Sequence, residues 1–145
     1  MRMTRTDIIN QVLGSKGLKP STARTIILRI CMDSDLPLDV DEVASKLGTK
    51  AHLATVYRTL EKFVSAGILE RIDFQEGTFR YEYMHGHHHH AVCNICGKVE
   101  DVVDTLTEVF AIENRLQQES GFRVTKHALE LFGICNKCQR SNTYV

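Results

Sequence analysis

The sequence predicts an α+β fold built from two unlike parts, and three observations support this prediction. Apolar residues recur at helical spacing four times over residues 4–67. Over residues 68–83 apolar and polar residues alternate instead, which is typical of a strand hairpin. Beyond residue 86 the composition shifts to histidine and cysteine, in a pattern that suits metal binding. We therefore expect a helical N-terminal domain followed by a small α/β domain with a four-cysteine zinc site.

The first two helices are predicted from apolar stripes and their flanking residues. The first covers residues 4–15, and Gly17 follows it as a stop signal. The second is capped by Ser21 or Thr22 and ends before the break at residues 33–37. The inward residues are predicted to be Ile8, Ile9, Val12 and Leu13 in the first helix, and Ile26, Ile27, Ile30 and Cys31 in the second.

The third and fourth helices have clearer end signals. Asp39 lies three positions before Glu42, a spacing typical of a capping box, and Gly48 ends this short helix. The fourth helix begins near Ala54 and ends where Gly67 can take a left-handed conformation. The inward residues are predicted to be Val40, Val43, Ala44 and Leu47 in the third helix, and Val56, Leu60, Phe63 and Val64 in the fourth.

The hairpin completes a recognisable order of elements. Ile68, Ile72 and Phe74 belong to its first strand, residues 75–77 form the turn, and residues 78–83 form the second strand. Helix, helix, turn, helix and hairpin is the order of a winged helix, in which the helix after the turn enters the DNA major groove. Basic residues flank that helix and could contact DNA, although surface Lys and Arg are more often simply solvated. They are Lys50, Arg58 and Lys62.

The charge distribution is compatible with DNA binding, although the formal net charge is zero. A neutral total argues against nonspecific adhesion to nucleic acid. Residues 1–30, however, are strongly basic, with Asp7 as their acidic residue, whereas residues 33–42 are acidic. The basic residues of the first segment are Arg2, Arg5, Lys16, Lys19, Arg24 and Arg29. A basic patch near one end of the chain is therefore predicted.

Composition and the N-terminal residues favour a cytoplasmic protein without a membrane span. The chain is 43% hydrophobic and 25% charged, with no apolar run near the length that a membrane span requires. Its first ten residues lack the apolar segment of a secretory signal. Because cytoplasmic thiols stay reduced, the five cysteines indicate a metal site plus one spare residue.

Residues 84–86 are interpreted as a hinge between a domain at residues 1–83 and a second domain at residues 87–145. The elements predicted in the second domain are a strand at residues 98–103, an amphipathic helix with Leu106, Val109, Phe110, Ile112 and Leu116 that ends at Gly121, and an apolar strand at residues 122–134. A unit this small has little core of its own. We therefore expect it to need a metal, a second copy of the chain, or both.

Two cysteine pairs form the strongest metal signal in the sequence. Cys93-x-x-Cys96 and Cys135-x-x-Cys138 supply four thiolates, the number that closes a tetrahedral structural zinc site. A redox dithiol at one pair is the alternative. The thioredoxin-like βαβ pattern that would favour it is not apparent around either pair.

The four histidines at residues 87–90 need a different explanation. If this segment is extended, alternation sends His87 and His89 to one face and His88 and His90 to the other. Two metal sites could then form, the first with Glu108 and His127 and the second with Glu82 and Asp101. Such nitrogen and oxygen ligands suit zinc, ferrous iron, manganese or nickel. The alternative is a solvated loop with incidental metal affinity, and each added ligand could be an ordinary surface residue.

Several short motifs occur in a fixed order along residues 17–138. They are Ala54-Thr55-Val56-Tyr57-Arg58, Ala66-Gly67-Ile68, the histidine run, Cys93-x-x-Cys96-Gly97-Lys98 and Gly133-x-Cys135-x-x-Cys138. In combination they resemble the ferric uptake regulator family of iron-, zinc-, manganese-, nickel- and peroxide-responsive repressors. The resemblance implies a homodimeric repressor of metal uptake or of metal and oxidative stress genes. It would bind double-stranded operator DNA through a winged helix and dimerise through the C-terminal domain.

The resemblance also implies roles for individual residues. DNA contacts fall on Lys19, Thr55, Tyr57 and Arg58. Structural zinc falls on Cys93, Cys96, Cys135 and Cys138. The regulatory metal falls on Glu82, His88, His90 and Asp101, and an additional metal site falls on His87, His89, Glu108 and His127. These sets agree with the two faces expected from alternation, and the second divalent metal is expected to be zinc or iron rather than manganese or nickel.

One position departs from the family pattern. Many members add a histidine to the regulatory site just before the third helix, where this sequence has Pro37. Either the four remaining ligands close the site, or His52, His85 or a water takes the vacant place. The missing histidine weakens a prediction of peroxide sensing by histidine oxidation.

Two other functional classes are compatible with the histidine-rich segment. A metal-dependent, hydrolase-like enzyme could use either histidine set if it kept an open coordination position. The sequence shows no separate general base within a motif, so we expect no enzymatic activity. A metal-buffering protein would explain the histidines but would have no need of the winged helix.

Overall fold

The computed structural model describes residues 2–48, 52–84, 86–103 and 107–141. The chain divides into two compact units, residues 1–85 and 86–145. This division falls within the segment that we interpreted as a hinge. Among the described residues, none of the helices combines the length and apolar character needed to cross a membrane.

The helices of the first unit agree closely with prediction. They are α1 (Arg5–Ser15), α2 (Thr22–Met32), α3 (Val40–Leu47) and α4 (Leu53–Ser65). The cap of α2 is Ser21, whose hydroxyl accepts a hydrogen bond from the Arg24 backbone amide. The capping box of α3 is confirmed, with Asp39 and Glu42 exchanging side-chain to backbone hydrogen bonds of 2.8 and 2.9 Å. These caps satisfy backbone donors that would otherwise lack partners within the helix.

The four helices enclose an apolar core, and two residues predicted to face it, Ile8 and Ile26, are wrong because both are exposed, Ile8 by 37%. Ile26 is 40% exposed, whereas Leu28 is fully buried with Ile27 and Cys31. At 100° per residue, the stripe through Ile27, Leu28 and Cys31 is centred about 140° from Ile26. The remaining core residues include Ile9, Leu13, Val43, Val56, Leu60, Phe63 and Tyr81.

The predicted hairpin is confirmed. Strands β1 (Leu69–Asp73) and β2 (Phe79–Tyr83) pair antiparallel, and Gly77 adopts a positive φ of 83° in the turn between them. Leu38 and Tyr81 form an isolated bridge through two backbone hydrogen bonds. The bridge attaches the segment before α3 to the hairpin. Tyr81 of β2 is also buried in the core between the helices, so the hairpin packs against them.

The second unit contains a three-stranded sheet in the order β4-β3-β5. Its elements are β3 (His88–Cys93), β4 (Val99–Val103), α5 (Thr107–Ser120), β5 (Glu130–Gly133) and α6 (Asn136–Arg140). Strand β4 runs antiparallel to β3, and β5 runs parallel to it on the other side. The histidine run therefore enters the central strand of the sheet.

The predicted strand at residues 122–134 is wrong over most of its length. Residues 121–129 carry no regular secondary structure, and only the last part of the segment forms β5. A strand needs a neighbour to satisfy its backbone groups. The ladder with β3 begins at the pair His90 and Glu130, so the preceding residues have no ladder partner on that strand.

The second unit leaves much apolar surface exposed. Its buried apolar residues, among those the structure describes, are Val92, Cys93 and Cys138. Helix α5 is confirmed over the predicted region, although Leu106 lies outside the described residues. The apolar side chains that it exposes are Phe110, Ile112 and Leu116. In the described part of the chain, these three side chains are 40–52% exposed.

Candidate metal centres and DNA-binding helix

The four cysteines predicted to hold zinc lie together at one end of the second sheet. Cys93 ends β3, Cys96 follows it in a tight turn, and Cys135 and Cys138 lie at and inside the start of α6. Gly97 has a φ of 72° and donates its backbone amide to the Cys93 carbonyl, which closes the turn. Parallel pairing of β3 with β5 brings the two cysteine pairs to the same edge.

The geometry of this cluster fits a tetrahedral metal. The four Sγ atoms lie within 4.8 Å of one another, and those of Cys96 and Cys135 are 3.7 Å apart. Two thiolates on zinc, at Zn–S distances of about 2.3 Å, are separated by roughly 3.8 Å. The Cys135 backbone amide donates to Cys93 Sγ and, together with the Cys96 backbone amide, lowers the pKa of that thiol to about 6. Burial raises the pKa of Cys138 to about 12, a cost that a bound cation would offset.

Alternation along β3 separates the histidines as predicted. His89 and His90 are buried, His88 is half-buried and His87 is exposed just before the strand. The rings of His87 and His89 are 4.7 Å apart, and those of His88 and His90 are 4.8 Å apart. His87 and His89 therefore share one face of the sheet, and His88 and His90 share the other.

On the first face of β3, which we call the His87 face, His127 joins His87 and His89. One ligand nitrogen of each lies within 4.8 Å of the others, and the Nε2 atoms of His87 and His127 are 2.7 Å apart. His127 was expected on a strand, but it lies in the irregular segment before β5. Glu108 is exposed in the first turn of α5, and the structure does not bring it into this group. Its role as a ligand stays a prediction.

Glu113 is a residue that the sequence analysis missed. Its Oε1 atom lies 2.6 Å from Nδ1 of His127, on the ring edge away from Nε2. Helix α5 carries several glutamates, and no local motif distinguishes Glu113 from Glu108 or Glu119. Only the path of residues 121–129 back past the helix brings His127 to Glu113.

On the second face of β3, which we call the His88 face, His88, His90 and Asp101 lie together. His90 and Asp101 are direct cross-strand partners in the β3–β4 ladder, so their side chains leave the same face of adjacent strands. His90 Nε2 and Asp101 Oδ1 are 3.9 Å apart, and the ligand atoms of all three residues lie within 4.8 Å. Two ligands at about 2.1 Å from one metal are separated by roughly 3.0–3.4 Å. A small inward movement would therefore give a two-histidine, one-carboxylate site.

Three residues of the first unit bear on the predicted regulatory site, namely Glu82, Pro37 and His52. Glu82 is buried on β2, and its role as the fourth ligand stays a prediction. Pro37 is fully buried, and its carbonyl accepts a hydrogen bond of 3.3 Å from Arg80. This position therefore has a structural role in the first unit. His52 is exposed at the cap position of α4, and His85 lies outside the described residues.

Helix α4 presents a solvent face suited to contact with DNA. Val56, Leu60 and Phe63 are buried on its inner face, and Tyr57 is 45% exposed on its outer face. The predicted contact residues Lys19, Thr55 and Arg58 are all exposed, as is Lys62, whereas Lys50 lies outside the described residues. Arg58 Nε donates to the Ala54 carbonyl at 3.2 Å, which holds the guanidinium close to the N-terminal half of the helix. Their contact with DNA stays a prediction.

Comparisons with known proteins agree with this arrangement. A match to the ferric uptake regulator family covers residues 15–132. The ferric uptake regulation protein of Legionella pneumophila is 37% identical over 135 residues, which is 90% of this chain and 98% of that protein. The Vibrio cholerae ferric uptake regulator, whose DNA-binding domains are rearranged, matches with a TM-score of 0.72 and 32% identity, covering 87% of this chain and 98% of that one. The Francisella tularensis regulator with iron also has a TM-score of 0.72, at 29% identity, covering 85% and 96%.

Proposed function

Because this chain belongs to the ferric uptake regulator family, we propose that metal binding on the His88 face of β3 controls its binding to operator DNA. The chain is a metal-responsive transcriptional regulator of that family. The proposal concerns which residues hold the regulatory metal, which residues contact DNA, and how the two events are coupled. We propose no enzymatic activity.

The cross-strand pair of His90 and Asp101, with His88 beside it, carries the proposal. This donor set combines two neutral nitrogens with one carboxylate, which suits ferrous iron and zinc. The Nε2 atoms of His88 and His90 are buried, whereas the Asp101 side chain is 47% exposed, so the histidine side of the site is the more screened from water. We propose Glu82 as the fourth ligand, on the strength of the family resemblance. It precedes His88 by only six residues of chain.

Metal binding would act by shifting a population of conformations. His88, His90 and Asp101 would hold the cation, whose positive charge would favour one arrangement of these side chains. If Glu82 is a ligand, that arrangement also restrains the chain between the two units. We propose that it favours the spacing in which two α4 helices reach successive major-groove half-sites. The coupling is reciprocal, so DNA would tighten metal binding by the same factor.

DNA recognition is proposed to use α4 and the segment before α2. Tyr57, Thr55 and Arg58 would reach bases and phosphates from the exposed face of α4, and Lys19 would contact a phosphate. Arg58 is suited to bidentate contact because its guanidinium carries several donors in a fixed plane.

A homodimer is proposed through exposed apolar side chains of α5 in the second unit. Phe110, Ile112 and Leu116 are exposed on α5 and could be covered by a second copy of the chain. Dimers place two recognition helices on a pseudo-palindromic operator.

We also propose that structural zinc on the four cysteines joins the ends of β3 and β5 to α6. We propose further that the protein acts in the cytoplasm as a repressor.

The regulatory metal is proposed to be zinc or ferrous iron in preference to manganese or nickel. To test this, the purified protein with its structural zinc retained is titrated anaerobically with each metal at buffered concentration. Operator binding is measured by fluorescence anisotropy at one fixed salt concentration, because phosphate contacts make affinity salt-dependent. We expect one of the two metals to raise DNA affinity by roughly 5- to 150-fold. Activation by manganese or nickel alone would contradict the proposed metal preference.

Two acidic residues of β4 provide a matched pair of variants for the proposed site. Asp101→Ala removes a proposed ligand, whereas Glu100→Ala removes a neighbouring exposed carboxylate that points to the opposite face. We expect Asp101→Ala to lose metal-dependent DNA binding and Glu100→Ala to retain it. If Asp101→Ala responded to metal like the wild type, the His88 face would not be the regulatory site.

A further inference from the structure

The Glu113 carboxylate contacts His127, and neither the sequence motifs nor the family resemblance assigns it a role. We propose that Glu113 is a positioning residue, which holds His127 in the tautomer and orientation needed to bind a metal on the His87 face of β3. The inference rests on the additional metal site that the resemblance implies. It adds a residue to that site which is not itself a ligand.

The tautomer follows from the partners of the two ring nitrogens of His127. Its Nδ1 lies 2.6 Å from Oε1 of Glu113, and both side chains are largely buried, with 20% and 23% exposed. An ionised carboxylate accepts hydrogen bonds and cannot donate them, so Nδ1 carries the proton. A neutral imidazole then has its lone pair on Nε2, the nitrogen that would bind metal.

The lone pair of His127 is directed at His87. Their Nε2 atoms are 2.7 Å apart, so with the lone pair on His127 the hydrogen bond between them is donated by the Nε2–H group of His87. Two nitrogens bound to one zinc at about 2.0–2.1 Å lie roughly 3.3 Å apart. The two Nε2 atoms would therefore have to move apart by roughly 0.6 Å to bind one zinc ion. To bind a metal through Nε2, His87 would have to change to the tautomer with the proton on its own Nδ1, whereas His127 would keep its tautomer. His127 is therefore the preorganised ligand of the pair.

The remaining contacts restrict the His127 ring. The His89 ring lies 5.3 Å from it, and the Phe110 ring lies 6.5 Å from it in an edge-to-face arrangement. Phe110 precedes Glu113 by three residues and so lies on the same side of α5. The helix thus contributes one hydrogen bond and one aromatic contact to a histidine in a segment without regular secondary structure.

Glu113 is placed to orient His127 and not to bind the metal. Its hydrogen bond is with Nδ1, whereas Nε2 of the same ring faces His87, and Glu113 is not among the residues whose ligand atoms lie within 4.8 Å of one another. Carboxylates in this second layer commonly fix the tautomer of a metal-binding histidine, and removing them typically weakens metal affinity by about 10- to 100-fold.

The test measures cobalt affinity at the His87 face in four variants. The Asp101→Ala background weakens the competing face, and structural zinc remains on the cysteines. Into this background we introduce Glu113→Ala, Glu113→Gln, His127→Ala and, as a matched control, Glu119→Ala, which removes an exposed glutamate of the same helix. Cobalt absorption with chelator competition gives both the affinity and the coordination environment.

We expect Glu113→Ala to weaken cobalt binding by about 10- to 100-fold. Glu113→Gln should recover most of the affinity because its amide oxygen still accepts from Nδ1, and Glu119→Ala should have no effect. If Glu113→Ala bound cobalt as tightly as the background, the inference would be overturned. Equal losses in Glu113→Ala and Glu113→Gln, with a changed cobalt spectrum, would make Glu113 a direct ligand and also overturn it.

The same experiment separates this inference from the proposed function. Unchanged affinity in His127→Ala would remove the additional site and, with it, the role of Glu113. Metal-dependent DNA binding through the His88 face is measured in a different assay and could still hold. Conversely, absence of metal-dependent DNA binding in the wild type would leave the cobalt result intact.

Discussion

Tyr57 and Arg58 lie on the outer side of α4, next in sequence to the buried Val56. Helical geometry turns each successive side chain by about 100°, so adjacent residues have very different surroundings. This difference allows DNA contact to be tested without disturbing the core. The same 100° turn per residue lets the spacing of apolar residues predict which side chains of the helix face the core.

The variants Tyr57→Ala and Arg58→Ala should each weaken operator binding by about 1–3 kcal/mol, and together they should abolish it. Zinc content and dimerisation should be unchanged because neither side chain is in the core. Anisotropy titrations with operator DNA check the first result, and metal analysis with sedimentation checks the second. Ser65→Ala, at the exposed end of the same helix, is the control. Loss of folding in either variant would show that these residues are structural.

Cys31 should be chemically inert in the folded protein. It is 2% exposed in the first unit, and burial raises the pKa of its thiol to about 12. With a thiol reagent at neutral pH, we expect a strong chelator to expose four reactive cysteines and denaturant to expose the fifth. Reaction of all five after chelation alone would contradict the burial of Cys31.

At the scale of elements, the capping box of α3 tests how local sequence stabilises the first unit. Asp39→Ala should lower the free energy of unfolding by about 1 kcal/mol, because the Glu42 backbone amide loses its acceptor. Asp41→Ala, an exposed acidic residue in the same turn, should cost less than about 0.5 kcal/mol. Urea unfolding followed by circular dichroism gives both values. Equal losses would mean that the cap is not the source of the stability.

Elements with a regular period were predictable, and those set by long-range pairing were not. The caps at Asp39 and Ser21 and the two faces of residues 87–90 follow from local patterns. The start of β5 at Glu130 depends on where the chain reaches β3 after α5, which the sequence does not encode locally. Ile26 was misplaced because a run of apolar residues left the direction of the core ambiguous.

The two candidate metal sites show the same limit. Alternation predicted which histidines share a face, and the sequence offered Asp101 and His127 as candidate partners, but it gave no sign of Glu113. His90 and Asp101 meet because of the strand register, and His127 meets Glu113 because of an irregular segment. Register can be inferred from alternation, whereas an irregular path cannot. Glu113 was therefore recognised only in the structure.

At the scale of the whole molecule, the two units should differ in their dependence on zinc. Cys96→Ser removes one proposed ligand, and the second unit has little buried apolar surface to compensate. We expect hydrogen exchange to show lost protection in β3 and β5, while α2 and α4 keep theirs. Unchanged protection in β3 of the zinc-depleted variant would show that the second unit does not require the metal.

The most direct test of metal control is to measure the thermodynamic linkage between metal and DNA. Operator affinity is determined with and without the regulatory metal, and metal affinity is determined with and without operator, all at one salt concentration. We predict that the two ratios are equal and lie between roughly 5 and 150. Identical operator affinity in the presence and absence of every metal tested would contradict regulation through the His88 face.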